Sequence, residues 1–583
     1  MTSEAANDSR APAGADGGFT HRQILTILSG LMLGMFLAAL DMTVVSVAIR
    51  TIADELQGFE LQVWATTAFL ITSTISTPLY GKLSDIYGRR PFYLLAIAIF
   101  VVGSILCGMA SSMYELALFR ALQGLGAGGL MSLALAIIGD IVPPRQRSRY
   151  QAIFMGVFAT SSVLGPLVGG FFAGTDELFG ISGWRWIFYV NVPVGIAALI
   201  VVAKVLHLPH TRLPHRIDWP GAVSLLVALG PLLTVAEQGR DWGWFSGRSV
   251  ACYVIGVLGL VAFLLIERAY KDEAILPLRL FRNRSFGISS ASSLIVGVGM
   301  FGALIVLPLY LQVVKGSTPT EAGLQTIPLV VGILIGSMGS GVAISRTGRY
   351  KQWPVIGSSL MVVGLLLFHY VGADTPLWQT MLIMPIFGVG LGLNMQPIIQ
   401  AVQNAVSPRE IGVATSSVTF FRQMGGTLGT AVFLAVLFST VGQNISDALT
   451  DARGSAAFQA AAQAHPEQMQ ALQNSNALED SSFINDLSPA IAHPFKVGFS
   501  ESMDLVFLLG AVVILLGVLV VAFLPDLPLR ELSGVQARQA DAAAAAAEAA
   551  VSPGGAAPAD VAPTTSAQPL SEARRDDGRT RPD

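Results

Sequence analysis

Long apolar runs alternate with short polar segments along almost the whole chain. The runs fall at about 24–49, 61–80, 92–110, 115–138, 150–173, 186–206, 219–236, 249–267, 286–312, 322–344, 354–372, 377–400, 411–441 and 503–524. Each matches the roughly 20 residues that carry a helix across a bilayer core. A helix satisfies its own backbone there, so the pattern predicts an all-α polytopic membrane protein with fourteen spans. Between the second and third runs stands GKLSDIYGRRP, Gly81 to Pro91, with four charges and two glycines in eleven residues.

The polar segments fix an orientation. Lys82, Arg89 and Arg90 outnumber Asp85, and an excess of Lys and Arg in a short loop marks the cytoplasmic side. Counting from there, the inner loops hold Arg145, Arg147 and Arg149; Arg212 and Arg216; Arg279, Arg282 and Arg284; Arg346, Arg349 and Lys351. The outer loops hold Asp54, Glu55 and Glu60; Asp176 and Glu177; and Asp374. An even number of spans puts both termini in the cytoplasm of a multi-pass cell-membrane protein. The first twenty residues are polar, with Glu4, Asp8 and Asp16, and do not form a cleaved signal peptide, so the first span directs insertion.

Composition agrees and excludes other classes. Of 583 residues, 52% are hydrophobic and 13% charged, against about 25% charged in a soluble domain. A net charge of −3 argues for no nucleic-acid partner. Cys107 and Cys252 both lie in apolar runs, which leaves neither a disulfide framework nor a metal cluster. His207, His210 and His215 read as a metal site or as a solvated basic loop, and the prolines between them favour the loop. No nucleophile–base pair or phosphate-binding loop is present, so the reading is a protein that is not an enzyme, needs no cofactor and is not driven by ATP.

The chain repeats itself. GVAISRTGRYK, Gly341 to Lys351, echoes Gly81, Gly88 and Arg89 as Gly341, Gly348 and Arg349. GLGAG…VPPRQ from Gly124 aligns with GVGLG…VSPRE from Gly388 at an offset of 264, pairing Pro144 with Pro408 and Arg145 with Arg409. Internal repeats of apolar halves mark transporter architecture. The expected organisation is a disordered cytoplasmic tail (1–20), a six-helix half (21–206), a linker with two extra helices (207–285) and a second six-helix half (286–526). That second half includes an outer loop, 442–502, whose Phe483, Ile484, Leu487, Ile491 and Phe495 suggest a packed cap. Residues 527–583 read as a short helix and a disordered Ala/Pro-rich cytoplasmic tail.

A charge inside a span is costly and marks a functional site. Asp41 lies within LAALDMTVVSVAIRTI of the first run, either as a buried acid or as an outer-end residue at the water interface. Arg120 lies in FRALQGLGAGG of the fourth, with Gln123 on the same helix face. It is either part of a polar lining or a structural arginine near the outer end. In the fifth, VLGPLVGG places Gly165, Pro166, Gly169 and Gly170 at a spacing that allows close helix approach, as ordinary small-residue packing also would.

G-x-L-x-D-x-x-G-R-R between the second and third spans resembles the loop signature of the major facilitator superfamily. Asp41, the R-x-x-Q-G-x-G of Arg120, the VLGPLVGG stretch and GWRWIFYVNVPVG from Gly183 resemble its fourteen-helix drug:proton antiporter branch, over nearly all of residues 20–525. The resemblance implies two six-helix halves plus two inserted central helices. It implies a cytoplasmic latch of Gly81, Asp85, Gly88, Arg89, Arg90 and Asp140 that holds the outward-open state. It implies Asp41 as the proton-coupling acid, Arg120 as the tuner of its pKa, and Gly165, Pro166, Gly169 and Gly170 as a signature of exporters. Monomer is the usual condition of the family.

At the offset of 264, Arg120 pairs with Met384 and Pro166 with Thr430, so coupling is expected in the first half alone. The second half offers Phe301, Tyr310, Gln312, Gln325, Asn394, Gln396, Phe420 and Phe421 as a cavity wall for amphipathic or cationic small molecules. Arg422 reads as a gate or interface residue. The expectation is a proton-gradient-driven exporter of drugs or small amphipathic compounds. Two alternatives stand beside it: a dedicated exporter of a native lipid, siderophore or antibiotic, with the outer loop touching a periplasmic or cell-wall partner, and a non-transporting membrane sensor or scaffold.

Overall fold

A computed structural model describes residues 19–58, 61–208, 217–468, 484 and 487–551. Residues read above as Glu60, His210, Arg212, His215, Arg216 and Phe483 lie outside them, as do most of the expected N-terminal tail and residues 552–583. Contacts divide the chain into Met1–Ala537 and Arg538–Asp583.

All fourteen apolar runs are helical. The first half comprises α1 (His21–Glu55), α2 (Gln62–Tyr87), α3 (Arg89–Met109), α4 (Met113–Ile141), α5 (Pro144–Ala173) and the pair α6 (Arg185–Tyr189) and α7 (Asn191–Val205). A two-residue hairpin of β1 (Glu177–Leu178) and β2 (Ile181–Ser182) precedes α6. α8 (Trp219–Trp242) and α9 (Gly247–Tyr270) form the inserted pair. The second half comprises α10 (Arg284–Val313), α11 (Pro319–Gln325), α12 (Ile327–Thr347), α13 (Gln352–His369), α14 (Leu377–Ala405), α15 (Ile411–Arg453), α16 (Ala456–Ala464) and α17 (Pro489–Ala522), and α18 (Gly534–Val551) follows.

Among the described residues, thirteen helical segments are long and apolar enough to cross a membrane. The run on α2 is not one of them. Its Thr67, Ser73, Thr74, Ser76 and Thr77 are buried. Ser73, Ser76 and Thr77 face α4, where Gly124 and Gly128 sit against the carbonyls of Phe69 and Ser73. Small residues and hydroxyls are what close helix pairs in a membrane use, so α2 spends its interior face on contact rather than on hydropathy.

The repeat is exact in outline. Shifted by 264 residues, Met113–Ile141 coincides with Leu377–Ala405. The main packing partners repeat with it: α2 with α4 as α12 with α14, α3 with α4 as α13 with α14, α1 with α5 as α10 with α15. Beyond its span α15 continues to Arg453 and α17 starts at Pro489, so much of the expected 442–502 loop is helix. The cause is local: Gly498 admits the Ile445 backbone, and Ile484, Ala492, Phe495, Val441 and Ile445 join one apolar cluster. The stretch expected as a tail also begins ordered. Tyr350 Oη donates to the Pro525 carbonyl (3.1 Å) and accepts from Leu527 N–H (3.0 Å), and Asn404 binds the Pro528 carbonyl and Arg530 N–H, both at 3.0 Å.

The halves meet along a seam at the arginine-rich end. Gly88, at φ +100°, turns the chain between α2 and α3 in a conformation that favours glycine. Arg89 then reaches Asp85 at 2.5 Å and Asp140 at 2.7 Å. Asp85 crosses to the second half and accepts the N–H groups of Gly412 (3.1 Å) and Val413 (2.8 Å), the unpaired donors of the α15 N-terminus. Gly81 packs on Ser416, where a Cβ would have no room. Arg90, expected in this group, stays in its own half and donates to the Ala203 carbonyl at 2.6 Å. Arg147, read only as a loop charge, is buried and donates to Gln403 Oε1 at 3.2 Å, while Gln400 donates to the Pro144 carbonyl at 2.6 Å.

The echo at Gly341–Arg349 does not build a second latch. Ser345 stands where the first copy has Asp85, and Arg349 is exposed. Only Gly348 keeps its turning role, at φ +71°.

Two outcomes follow from the seam. A Cβ at Gly412 would collide with Arg89 and Asp85, so Gly412→Leu should widen the distance between spin labels on the inner ends of α2 and α15, while Gly230→Leu, which meets nothing, should leave it unchanged. Asn404→Leu removes two hydrogen bonds to 528–530, worth about 1 kcal/mol each, and should speed proteolysis after Leu524.

Candidate functional site

Asp41 is buried, not at a helix end. Four helices besides its own, all from the first half, bring side chains or backbone to the site around it. α4 supplies Arg120 and Gln123, one turn apart; α3 supplies Ser104 and Cys107; α7 supplies Asn191; and α2 supplies Ala65 and Phe69. Gly103 of α3 sits directly against the Gln123 backbone, so a side chain there would push α4 away.

Arg120 Nη1 pairs with Asp41 Oδ2 and donates to Gln123 Oε1 at 2.7 Å. Asp41 Oδ1 accepts from Gln123 Nε2 at 2.8 Å and from Asn191 Nδ2 at 3.0 Å. Both amides also donate to Ser104 Oγ, at 2.7 and 3.1 Å. Arg120 Nε donates to the Ala65 carbonyl at 3.3 Å, and its guanidinium lies 4.1 Å from the Phe69 ring centre. Asp41 and Arg120 are each 1% exposed. The result is a neutral ion pair whose carboxylate carries three donors. It can take up a proton only if those donors rearrange, since a protonated carboxyl becomes a donor itself.

The glycine motif of α5 holds α1 beside this network. Gly165 and Gly169 leave room for Thr43 and the Val44 carbonyl, the residues just after Asp41. Thr43 Oγ1 also donates to the Ser161 carbonyl at 3.1 Å. Gly170 meets nothing within 4 Å, and Pro166 faces Gly323 of α11 instead.

Most of the proposed cavity wall is occupied with packing. Tyr310 Oη donates to the Gly372 carbonyl at 3.0 Å, and Gln325 Oε1 accepts from Ser317. Lys315, above the Tyr310 ring, donates to the Ala373 and Thr375 carbonyls, and burial holds its ammonium below the ordinary lysine range. Asn394 binds Ser358 and the Gly390 carbonyl. Phe420 joins a cluster with Ile75 of α2 and Leu225, Leu229 and Leu233 of α8, and Phe421 packs edge-on to Phe281. Gln396 is buried, while Phe301 and Gln312 are half-buried; Phe301 lies against Gly426. An open groove of about 600 Å³ runs between α3 and α7 past Pro91, Leu94, Leu199 and Ile200 and holds none of the candidate residues.

Sequence reasoning missed Ser104 and Asn191. Asn191 was within reach: an amide inside GWRWIFYVNVPVG has no water to bind and so needs a polar partner. Ser104 carries no such signal, because serine is common in these helices.

Breaking a buried pair by removing one partner costs about 3–5 kcal/mol. Asp41→Asn and Arg120→Met should each lower the unfolding free energy in detergent by that order, and the double variant should lose clearly less than the sum.

The model of the Major Facilitator Superfamily matches residues 31–430. The multidrug transporter protein MdtP of Bacillus subtilis is 34% identical over 512 residues, covering 86% of this chain and 93% of its own. Multidrug resistance protein 3 of the same organism is 32% identical, over 85% and 94%. An MFS-type transporter of Mycobacterium tuberculosis is 37% identical, over 87% of this chain and 70% of its own. Among solved structures, the proton:xylose symporter XylE shares the fold at a TM-score of 0.56 with 14% identity, over 89% of this chain and all of its own. Family match, repeat and helix packing agree: the chain is a multi-pass membrane protein of the major facilitator superfamily, a transporter and not an enzyme.

Proposed function

We propose that the protein exports drug-like or other small amphipathic compounds across the cell membrane in exchange for protons. The observation that carries the reading is the Asp41–Arg120–Gln123–Asn191 network, an ionisable carboxylate sealed among the helices of one half, away from the seam, and held by side-chain donors. Relatives named for multidrug transport and efflux support the direction and the substrate class.

The proposed cycle uses this chain's own groups. With the cytoplasmic seam closed, a proton entering from outside neutralises Asp41, and Arg120 loses its counter-ion. An uncompensated guanidinium in a span is unfavourable, so α4 shifts toward new acceptors. That movement strains Asp140, which is on the same helix and anchors Arg89 in the seam. Opening inward lets the proton leave to the cytoplasm, and the pair re-forms as substrate is taken up. The gradient supplies the drive, no cofactor takes part, and the termini face the cytoplasm of a monomer. The helical extensions of α15 and α17 offer a surface to a periplasmic or cell-wall partner.

Ethidium efflux from cells expressing the protein tests this. Wild-type efflux should stop with a protonophore, and Asp41→Asn should fall to that protonophore-treated level. Efflux that survives Asp41→Asn would remove Asp41 from the mechanism. Asn191→Leu removes one of the three donors to that carboxylate and should keep efflux between the wild-type and Asp41→Asn levels.

A further inference from the structure

The inserted helix pair carries two buried acids that the cycle above does not use. Asp218 caps α8, its Oδ1 accepting Gly221 N–H at 2.7 Å. Glu267 sits in the last turn of α9, its Oε2 accepting Leu276 N–H at 3.0 Å. These are ordinary structural roles, and each uses one oxygen. The other oxygens, Asp218 Oδ2 and Glu267 Oε1, are buried and accept no hydrogen bond of good geometry from the described residues, the Ile275 N–H being the one further donor that the two carboxyls share. Asp218 is 2% exposed and Glu267 0%.

The two carboxyls are neighbours, since both face the backbone N–H of Ile275. Lys82 of α2 faces both, and its ammonium donates to the Asp272 carbonyl at 2.6 Å. The other charges around Lys82 are Asp85 on its own helix, Glu410 before α15, and Arg279, which pairs with both Asp272 and Glu410. Two carboxylates beside one ammonium leave a net charge of about −1 in a site shut off from water, and such a charge is expensive. One proton removes the cost twice over. It balances the charge, and as an O–H on one carboxyl it donates to the orphaned oxygen of the other, as like-charged carboxyl pairs do.

We propose that Asp218 and Glu267 form a second proton-binding site, separate from Asp41, which holds one shared proton at the junction of the inserted helix pair with α2. The proton comes from water at the cytoplasmic end and returns there. Lys82 stands one turn from Asp85, so the state of the pair sets the charge that α2 feels beside the seam. The inserted helices then act as a reader of the inner proton concentration as well as a filler between the halves. Burial, which pushes the Asp218 carboxyl above its ordinary value, works in the same sense.

Infrared difference spectroscopy of the full-length protein in lipid nanodiscs, across a pH jump, tests the site. The Asp41→Asn background removes the coupling acid from the signal. A protonated-carboxyl band with the amplitude of one group should remain there and should vanish equally in D218N and in E267Q, because the proton is shared. Both variants keep the structural contacts: Asn caps a helix as well as Asp, and Gln still accepts Leu276 N–H. Replacing sodium by choline should leave the band unchanged. The proposal fails if Asp41→Asn shows no such band, if the band survives both D218N and E267Q, or if sodium suppresses it, which would make the site a metal-cation site.

Discussion

A full charge inside a low-dielectric bundle must be compensated on the spot, and the rest of this molecule is arranged around doing so for Asp41 and Arg120. Five helices of the first half take part: α1 and α4 carry the pair, and α2, α3 and α7 give up apolar packing to place polar groups around it. The glycines that let them approach, Gly103 on α3 and Gly165 and Gly169 on α5, are where the helices come closest. Compensation of this kind is binary. In the proposed cycle, protonating the carboxylate removes the guanidinium's counter-ion and leaves it only the Gln123 Oε1 and the Ala65 carbonyl, on a helix that moves as a unit. The same helix ends at Asp140, where it holds Arg89 and through it Asp85 and the N-terminus of α15. A local change of charge is therefore connected to the seam between halves by one continuous rod.

The two halves share a backbone plan but not a chemistry. Where the first half has Asp85, Arg120 and Asp140, the second has Ser345, Met384 and Asn404. The first half needs acids because it carries the pair and the latch. The second receives the latch with backbone N–H groups and uses Asn404 to hold the segment after its last helix. An asymmetric pair of halves of this sort allows one to act as the titrating body and the other as its frame.

Much of this was legible in the chain. Hydropathy located all fourteen long runs that prove helical, because an apolar run near 20 residues long has one stable solution in lipid. The charged residues inside runs, Asp41 and Arg120, announced the site for the same reason. What the chain concealed were features whose energy comes from tertiary partners. Arg147 reads as one more positive loop residue, yet it is buried in the seam. Tyr310 and Phe420 look like cavity aromatics and turn out to satisfy a carbonyl and an apolar cluster. The 341–351 echo keeps the glycines but not the acid, so similarity of spacing overstated similarity of role. The helical extensions beyond residues 441 and 489 are held by each other, a contact that no local propensity records.

In the proposed cycle Asp41 is the group that exchanges a proton when substrate binds. Purified protein in weakly buffered detergent with a pH-indicator dye measures this directly on addition of a transported cation such as ethidium. Proton release is expected from the wild type and not from Asp41→Asn, with Asp218→Asn retaining it; equal release from wild type and Asp41→Asn would take that role away from Asp41.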